Sequence, residues 1–349
     1  MKTGIVKHDL YLEHKTEIFH PESPYRLQSI YAMLESVDFA GSLVKIEPRY
    51  ANLDEILLVH DPHYVDRVLD SAEKPRVRFD PDTVTSPKTY KVAWMAVGGV
   101  VEAIRVVLRG EVRNAFALVR PPGHHAMRDR AMGFCIFNNL AIGARVALVS
   151  HGLSRVLILD WDLHHGNGIQ EIFYDDPHVL YFSLHRHPYY PWTGAAEEVG
   201  KGPGKGYNVN VPLEQGCSDP DYGNIFRHLL LPIARSYKPE IILVAAGFDT
   251  HHNDPLRSMN VTQAGFARMT GLLMDLAAEL CGGRMVLALE GGYNSEALRD
   301  SVAMVLWELI GKSMINKEEM RQVENAQYSN IVKTIGQVKT IQKKYWKDL

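Results

Sequence analysis

The sequence predicts a single α/β domain in which a central parallel sheet carries helices on both faces. Short apolar runs recur along the chain without polar alternation, as expected for strands that are buried on both sides. Segments with helical spacing lie between these runs, and a polar cluster follows each run. No Pro-, Gly- or Ser-rich linker divides the 349 residues, so we expect one main domain.

Six apolar runs are the predicted strands. With the polar residues that follow them, they are GIVKH near the start, FALVRPPGHH ending at His125, VLILDWDLHH ending at His165, VLYFSLHRH ending at His187, EIILVAAGFDTHH ending at His252 and RMVLALEGGY ending at Tyr293. The predicted helices cover residues 90–108, 140–149, 225–236 and 266–280. Because the polar clusters follow parallel strands, we expect one crevice at the carboxyl edge of the sheet to collect them.

A polar, Lys-rich segment begins near residue 314 and differs in character from the rest of the chain. Its apolar residues recur at helical spacing, namely Ile331, Ile335, Val338, Ile341 and Tyr345. We therefore predict a main domain over residues 1–312 and an amphipathic helical extension over residues 313–349. The extension is expected to pack on the main domain or on a partner.

Composition excludes several classes of protein. Hydrophobic residues make up 46% of the chain and charged residues 23%, a balance typical of globular proteins. Lys and Arg number 38 against 41 Asp and Glu, and the resulting net charge of −3 predicts no nucleic-acid partner. No apolar stretch is long enough to span a bilayer or to serve as a signal peptide, so we expect a cytoplasmic protein without a membrane partner. The three cysteines are too few for a disulfide framework.

The stretch ILDWDLHHGNG places several metal-binding side chains at the end of a predicted buried strand. If the chain stays extended, Asp160, Asp162 and His164 point to the same side. Asp249 ends another predicted strand and could complete a three-ligand set with Asp162 and His164. Three protein ligands with a fourth position open are typical of a catalytic zinc. The alternative is that each aspartate caps a helix or forms an ion pair with an Arg or Lys side chain.

Two further motifs carry groups that suit acid and base chemistry. His124 and His125, in RPPGHHAM, supply imidazoles that exchange protons near neutral pH. Tyr293, in LEGGYN, follows two glycines that allow a close approach of the backbone to a ligand. Taken singly, an HH pair after PPG is more typical of a surface turn, and an isolated Tyr293 of a partly buried tyrosine with a satisfied hydroxyl. His251 and His252 are equally compatible with a polar loop.

In order along the chain, RPPGHHA, MGFCIFNN, DWDLHHGNG, YFSLHR, GFDTHHNDPL and LEGGYN resemble the motif series of the histone deacetylase and acetylpolyamine amidohydrolase family. The form is most similar to the class II-like members. The resemblance begins near HPESPYR at His20 and extends to about Lys312. It implies an arginase/deacetylase-like fold, which is a single α/β domain with a deep channel to a metal ion.

The resemblance also implies residue roles. Asp162, His164 and Asp249 would bind Zn²⁺, although Fe²⁺ or Co²⁺ would also suit an Asp₂His site. The implied catalytic set consists of His125 as general base and later acid, His124 as its electrostatic partner, Tyr293 as the donor to the substrate carbonyl, Asp160 as the group that holds His124, and Asn167 facing His125. Some members carry Asp at the position of Asn167, and an amide orients an imidazole without raising its basicity.

Monovalent sites and a substrate channel are implied as well. The inner K⁺ site would use Asp160, Ser183 and Leu184, and an outer site would lie near Phe173, Asp176, Val179 and Tyr207. The implied substrate-binding residues are Asp82, Gly133, Phe134, Tyr190, Leu256 and Gly292. Phe is commoner than Tyr at position 190, Trp192 stands where the family usually has Gly, and Leu256 stands where polyamine-selective members can carry Glu.

The implied reaction is hydrolysis of an N-acyl amide, in which the zinc polarises the carbonyl and His125 takes a proton from the attacking water. The expected substrates are an acylated lysine side chain or a similar small N-acyl amine. An acetylpolyamine amidohydrolase is the nearest alternative, and a catalytically weak acyl-group sensor or scaffold on the same fold is another. The sequence leaves the oligomeric state open, and a homo-oligomer is compatible with it.

Overall fold

In the computed structural model, which describes residues 2–39 and 41–349, the described strands form one central sheet. The strands are β1 (Thr3–Val6), β2 (Leu43–Ile46), β3 (Asn114–Ala117), β4 (Val156–Asp160), β5 (Val179–Arg186), β6 (Asn208–Leu213), β7 (Ile241–Ala246) and β8 (Met285–Leu289). Their order is β2-β1-β3-β8-β7-β4-β5-β6, and each adjacent pair is parallel. The predicted fold class is confirmed.

The two strands that the sequence patterns did not predict, β2 and β6, are the edges of the sheet. The four residues of β2 include the exposed Lys45. In β6, Asn208 and Asn210 alternate with valines, and Pro212 occupies a position that an edge strand tolerates. Neither strand has the uninterrupted apolar run by which a central strand is recognised.

Helices flank the sheet and connect its strands. They are α1 (Tyr25–Ser36), α2 (Leu53–Leu57), α3 (Pro62–Leu69), α4 (Thr89–Leu108), α5 (Asn139–His151), α6 (Asn167–Phe173), α7 (Asp219–Ile225), α8 (Leu231–Tyr237), α9 (Gln263–Cys281), α10 (Ser295–Leu309), α11 (Lys317–Ala326) and α12 (Val332–Gln342). The four predicted helical segments coincide with α4, α5, α9 and the α7–α8 run, where a π-helical turn at Phe226–Leu230 joins the two helices. Within the described residues, none of the helices combines the length and apolar character needed to cross a bilayer.

The central strands bring the predicted site together. Strands β3, β4, β7 and β8 are buried along their whole length. Burial of each large aliphatic side chain stabilises the fold by roughly 1.5–3 kcal/mol. These four strands are neighbours in the order β3-β8-β7-β4, so the loops that follow them meet at one edge of the sheet.

The C-terminal segment packs on the rest of the same chain. Ile331, Ile335 and Val338 are buried, and α12 lies against β6. The Trp346 indole N–H donates to the Gly206 carbonyl oxygen at 3.1 Å. These contacts cover the polar edge strand β6, while the boundary at residue 312 stays a prediction.

Candidate active site

Three side chains converge at the carboxyl ends of β4 and β7. Metal-binding atoms of Asp162, His164 and Asp249 lie within 4.8 Å of one another. His164 Nδ1 lies 3.1 Å from Asp162 Oδ1 and 3.1 Å from Asp249 Oδ2. Main-chain N–H groups of Gly291 and Leu163 donate to the other carboxylate oxygens, both at 2.9 Å. The cluster therefore has oriented oxygens and one nitrogen that face a common point.

The local chain path differs from the extended one expected from the sequence. Strand β4 ends at Asp160, and the following residues form a turn. In that turn the Asp162 N–H donates to Asp160 Oδ1 at 3.1 Å, and the His164 N–H donates to Asp162 Oδ1 at 2.9 Å. Each carboxylate thus caps the amide two residues on, as Asp commonly does in turns. Asp160 consequently faces His124 rather than the ligand cluster.

Two observations indicate that the cluster fits a divalent cation. Apart from its 3.1 Å contact with His164 Nδ1, Asp249 Oδ2 is buried without a hydrogen-bond donor among the described residues, so this carboxylate oxygen is left for another partner. Burial by itself lowers the pKa of His164, but the Asp162 and Asp249 carboxylates raise that pKa to about 9. The cluster therefore binds a proton tightly, and a metal ion would displace that proton.

Gly291 has to be a glycine for this cluster to form. A Cβ atom at this position would lie 2.5 Å from Asp249 Oδ2 and 2.6 Å from Asp162 Oδ2. Any side chain would therefore push the carboxylates apart. This close approach explains the first residue of the Gly-Gly pair in LEGGYN.

The paired histidines lie beside the cluster and have opposite proton affinities. His124 Nδ1 is 3.1 Å from Asp160 Oδ2, and His125 Nδ1 is 2.8 Å from Asn167 Oδ1. Burial opposes protonation of His124, yet Asp162 and Asp160 raise its pKa to about 10. Burial and the imidazoles of His124 and His164 lower the pKa of His125 well below its ordinary value. One ring is therefore cationic and the other neutral near pH 7.

Tyr293, His125 and His164 face a narrow cavity of about 230 Å³. Its lining residues are Asp82, His125, Gly133, Phe134, His164, Tyr190 and Tyr293. Phe134 meets Tyr293 edge to face with ring centroids 5.9 Å apart, and Tyr190 meets His125 at 5.3 Å. A Cβ atom on Gly133 would overlap the His125 ring.

The Tyr293 phenol stays protonated in this cavity and can donate a hydrogen bond. Burial raises its pKa well above the ordinary value, and the carboxylates of Asp249 and Asp162 act in the same direction. Its backbone N–H donates to Asp254 Oδ2 at 2.8 Å. Among the described residues, no side chain or main-chain group accepts a hydrogen bond from its hydroxyl. The hydroxyl is therefore available to a ligand.

Other predicted substrate residues lie around this cavity rather than on its wall. Leu256 is partly buried behind the Asp254 turn, where its N–H donates to Asp254 Oδ1 at 3.0 Å. Gly292 adopts a φ of 113° and presents its carbonyl oxygen to Arg26 Nε at 2.6 Å. Trp192 follows the cavity residue Tyr190, has a φ of 67° and is 72% exposed.

The carboxylates of both predicted monovalent sites already have partners within the chain. Asp160 and Ser183 are direct neighbours across β4 and β5, and Leu184 follows in β5. In the predicted outer site, the Asp176 carboxylate is bound by Arg145 and by His178. There Arg145 also covers the Phe173 ring, Val179 begins β5, and the Tyr207 carbonyl oxygen accepts the Tyr181 N–H. Both sites stay predictions.

Several groups that support the site had no role in the sequence analysis. The Tyr181 hydroxyl donates to Asp160 Oδ2 at 2.9 Å, and the Tyr189 ring stacks on His164 at 5.6 Å. His165, which the sequence left without a role, contacts Thr193 and Gln170 instead of the cluster. The histidines at positions 251 and 252 stack on each other outside the metal-binding group. One more group that supports the site is Glu290. Its only signal in the sequence is its place in the motif LEGGYN.

Comparisons with known proteins agree on one family. A family model described as the histone deacetylase domain matches residues 20–309. Histone deacetylase 15 of Arabidopsis thaliana is 42% identical over 335 residues, which cover 95% of this chain and 59% of that protein. A probable deacetylase of Archaeoglobus fulgidus is 39% identical, with 99% of both chains covered. The human polyamine deacetylase HDAC10 is 41% identical over 89% of this chain and 48% of that protein.

A solved structure, the crystal structure of the HDA15 HD domain, superposes with a TM-score of 0.90 at 40% identity and covers 99% of this chain and 95% of that one. The chain thus spans about half of two curated relatives and nearly all of the archaeal one. The family match over residues 20–309 contains the entire metal-binding cluster, both histidines and the cavity wall. We conclude that this chain belongs to the histone deacetylase family.

Proposed function

We propose that this chain is a zinc-dependent deacylase that removes acyl groups, acetyl in particular, from the nitrogen of acyl-lysine or a similar small N-acyl amine. The observation that carries the proposal is that three functional groups converge at one narrow cavity. There His164 of the Asp₂His cluster, the neutral His125 and the free hydroxyl of Tyr293 all face the same volume. Membership in the histone deacetylase family supports the same chemistry.

Asp162, His164 and Asp249 would hold the metal, because two carboxylates and an imidazole suit Zn²⁺ and leave a coordination position open. When bound, zinc supplies Lewis acidity that polarises a carbonyl and makes water more acidic. Fe²⁺ or Co²⁺ would suit the same donors. For K⁺, we propose the inner position at Asp160, Ser183 and Leu184, where a carboxylate and strand carbonyls are adjacent.

The remaining steps belong to the chain's own residues. His125 donates its Nδ1–H to Asn167, which leaves the Nε2 lone pair free to take a proton from the attacking water. The same nitrogen then returns the proton to the departing amine. The cationic His124, held by Asp160, offsets negative charge that develops beside it. The Tyr293 hydroxyl donates a hydrogen bond to the carbonyl oxygen as that oxygen becomes negative.

The cavity wall favours an acyl group on a slender aliphatic amine. Phe134 and Tyr190 provide apolar surface for methylene groups. Asp82 is exposed at the rim, so its carboxylate can accept a hydrogen bond from a peptide backbone or an ammonium group. Leu256 offers no charge to a second ammonium, which favours acyl-lysine over an acetylpolyamine.

A turnover assay on acetyl-lysine peptides, longer acyl-lysines and acetylated polyamines tests this proposal. We expect the highest kcat/KM on an acyl-lysine peptide. Removal of metal with a chelator should abolish turnover, and added Zn²⁺ should restore it. Activity that survives exhaustive chelation would contradict the metal mechanism. A higher kcat/KM on acetylpolyamines than on acyl-lysine peptides would identify acetylpolyamines as the substrate class. Binding of acyl-lysine without any turnover would identify a sensor.

Replacement of Tyr293 by Phe isolates the contribution of the hydroxyl. We expect kcat to fall by about 10²- to 10³-fold, because the oxyanion loses one preorganised donor. Zinc content should stay unchanged, since Tyr293 is not among the ligands. Metal analysis and steady-state kinetics on the same preparation give both readouts, and undiminished hydrolysis by this variant would contradict the assigned role.

A further inference from the structure

Glu290 is a fully buried carboxylate that the proposed mechanism leaves without a role. It directly follows β8 and precedes Gly291. Its Oε2 atom accepts the backbone N–H of Gly123 at 2.7 Å and that of His124 at 3.2 Å. Glu290 therefore connects the end of the strand to the loop that carries both histidines.

The peptide groups on both sides of His124 are fixed by this arrangement. The His124 carbonyl oxygen accepts the N–H groups of Gly168 at 3.1 Å and Ile169 at 3.3 Å, at the start of α6. On the other side, Glu290 takes the His124 N–H. With the main chain held at both ends, the Cα–Cβ bond of His124 has a fixed direction, and from there the imidazole reaches Asp160.

Among the described residues no Lys or Arg forms an ion pair with Glu290, and the charge of the neighbouring His124 imidazole favours its ionised form. Its Oε1 atom is buried and accepts no hydrogen bond from the residues that the structure describes. Glu22, which is equally buried, is paired with both Arg120 and Arg26. Burial raises the pKa of Glu290 to about 7, which shows that the ionised form is costly here. Packing alone would favour an apolar or neutral residue, so a buried carboxylate whose contacts are to the histidine loop points to a functional constraint there.

We propose that Glu290 is a positioning residue for the paired histidines. Its carboxylate holds the main chain of Gly123 and His124 so that His124 reaches Asp160 and His125 faces the cavity. The kinetic part of this inference rests on the proposed deacylase function, whereas the structural part rests on the geometry alone.

Glu290→Ala and Glu290→Gln test the proposal through hydrogen exchange. Between residues 121 and 126 only Gly123, His124, His125 and Ala126 have an exchangeable amide, because the first two residues are prolines. In Glu290→Ala, exchange in a peptide over this stretch should accelerate about tenfold, as expected when buried amides lose their acceptor. Glu290→Gln retains a carbonyl acceptor and should restore most of the protection.

The kinetic arm uses the same variants. We expect Glu290→Ala to lower kcat about 100-fold, as misplaced catalytic groups commonly do, while KM changes little because Glu290 does not line the cavity. Glu290→Gln should recover most of kcat. Glu324→Ala removes another buried glutamate, far along the chain in α11, and reports what general destabilisation does to kcat.

Unchanged exchange in Glu290→Ala would overturn the proposal. The proposal would also be overturned if Glu290→Ala lost no more kcat than Glu324→Ala when the two variants have equal melting temperatures. If the wild-type protein hydrolyses no N-acyl amine, the proposed function fails, and the exchange arm still decides whether Glu290 holds the histidine loop.

Discussion

At the scale of residues, the site depends on how neighbouring groups divide protons between two adjacent histidines. His124 lies next to carboxylates and has a raised pKa, whereas His125 lies next to an amide and has a lowered one. Asp162 and Asp160 raise the pKa of His124 against the effect of burial, whereas burial and the imidazoles of His124 and His164 lower the pKa of His125, whose partner Asn167 is neutral. A neutral His125 is the form that can accept a proton.

Asn167→Asp should change this division. A carboxylate 2.8 Å from His125 Nδ1 raises the pKa of that imidazole, because it stabilises the protonated form. A general base acts only above its pKa, so the acid limb of the kcat/KM profile should move to higher pH. The measurement is a pH profile from 5 to 9, with the exposed Asn325→Asp as a control for the added charge. An acid limb that stays in place would argue against His125 as the base.

At the scale of elements, the C-terminal helices are attached by a buried ion pair as well as by apolar contacts. Glu324 of α11 accepts Arg268 Nε at 2.6 Å and Nη2 at 3.0 Å, and Arg227 contacts it at 3.3 Å. Asn224 also donates to its carbonyl oxygen at 2.7 Å. Helix α11 is thereby fixed against α7 and α9.

Arg268→Ala should destabilise the protein by roughly 3–5 kcal/mol, because it leaves the Glu324 carboxylate buried without its main partner. Urea unfolding curves measure the change in the free energy of unfolding. The control is Arg235→Ala, which removes one partner of the exposed pair with Glu279 and should cost less than about 1 kcal/mol. Equal losses in the two variants would show that burial of the α11 ion pair is energetically unimportant.

At the scale of the whole molecule, buried histidines outside the site should set the acid limit of stability. Burial lowers the pKa of His14 to about 3, of His60 to about 4 and of His185 to about 3. In the unfolded chain a histidine has a pKa of about 6.5. Below that pH the unfolded state binds protons that the native state does not, so stability falls as the pH falls.

We therefore expect the metal-free protein to lose about 1.4 kcal/mol per pH unit for each such histidine as the pH decreases from 6 towards 4. His124 and His164 have the opposite sign, and their stabilising contribution is lost as the pH rises towards about 10 and 9. Urea midpoints from pH 4 to about pH 10 measure both effects. His60→Gln should reduce the dependence of the free energy of unfolding on pH by the contribution of one histidine. The control, replacement of the exposed His63 by Gln, should leave this dependence unchanged. A flat profile between pH 6 and 4 would contradict this account.

Much of the fold and of the site could be predicted because the signals are local. The apolar runs of β4 and β7 identify central strands, and the polar residues that follow them mark the carboxyl edge. The edge strand β6 was not predicted from the sequence, because Asn208 and Asn210 interrupt its apolar pattern. Those amides are buried because they donate to Gln170 and to the carbonyl oxygens of Ala195 and Glu198, long-range contacts that no local pattern records.

The sequence by itself determined the fold class, the spacing of Asp162 and His164 and the glycines that let the backbone approach them. These properties depend on residues that are close together in the sequence, so local sequence patterns are enough to predict them. Only the tertiary structure decided that Asp249 meets this pair, that the turn after β4 directs Asp160 to His124, and that Glu290 binds the histidine loop. Those contacts depend on the order of strands β3-β8-β7-β4, and that order follows from long-range packing that local spacing does not specify.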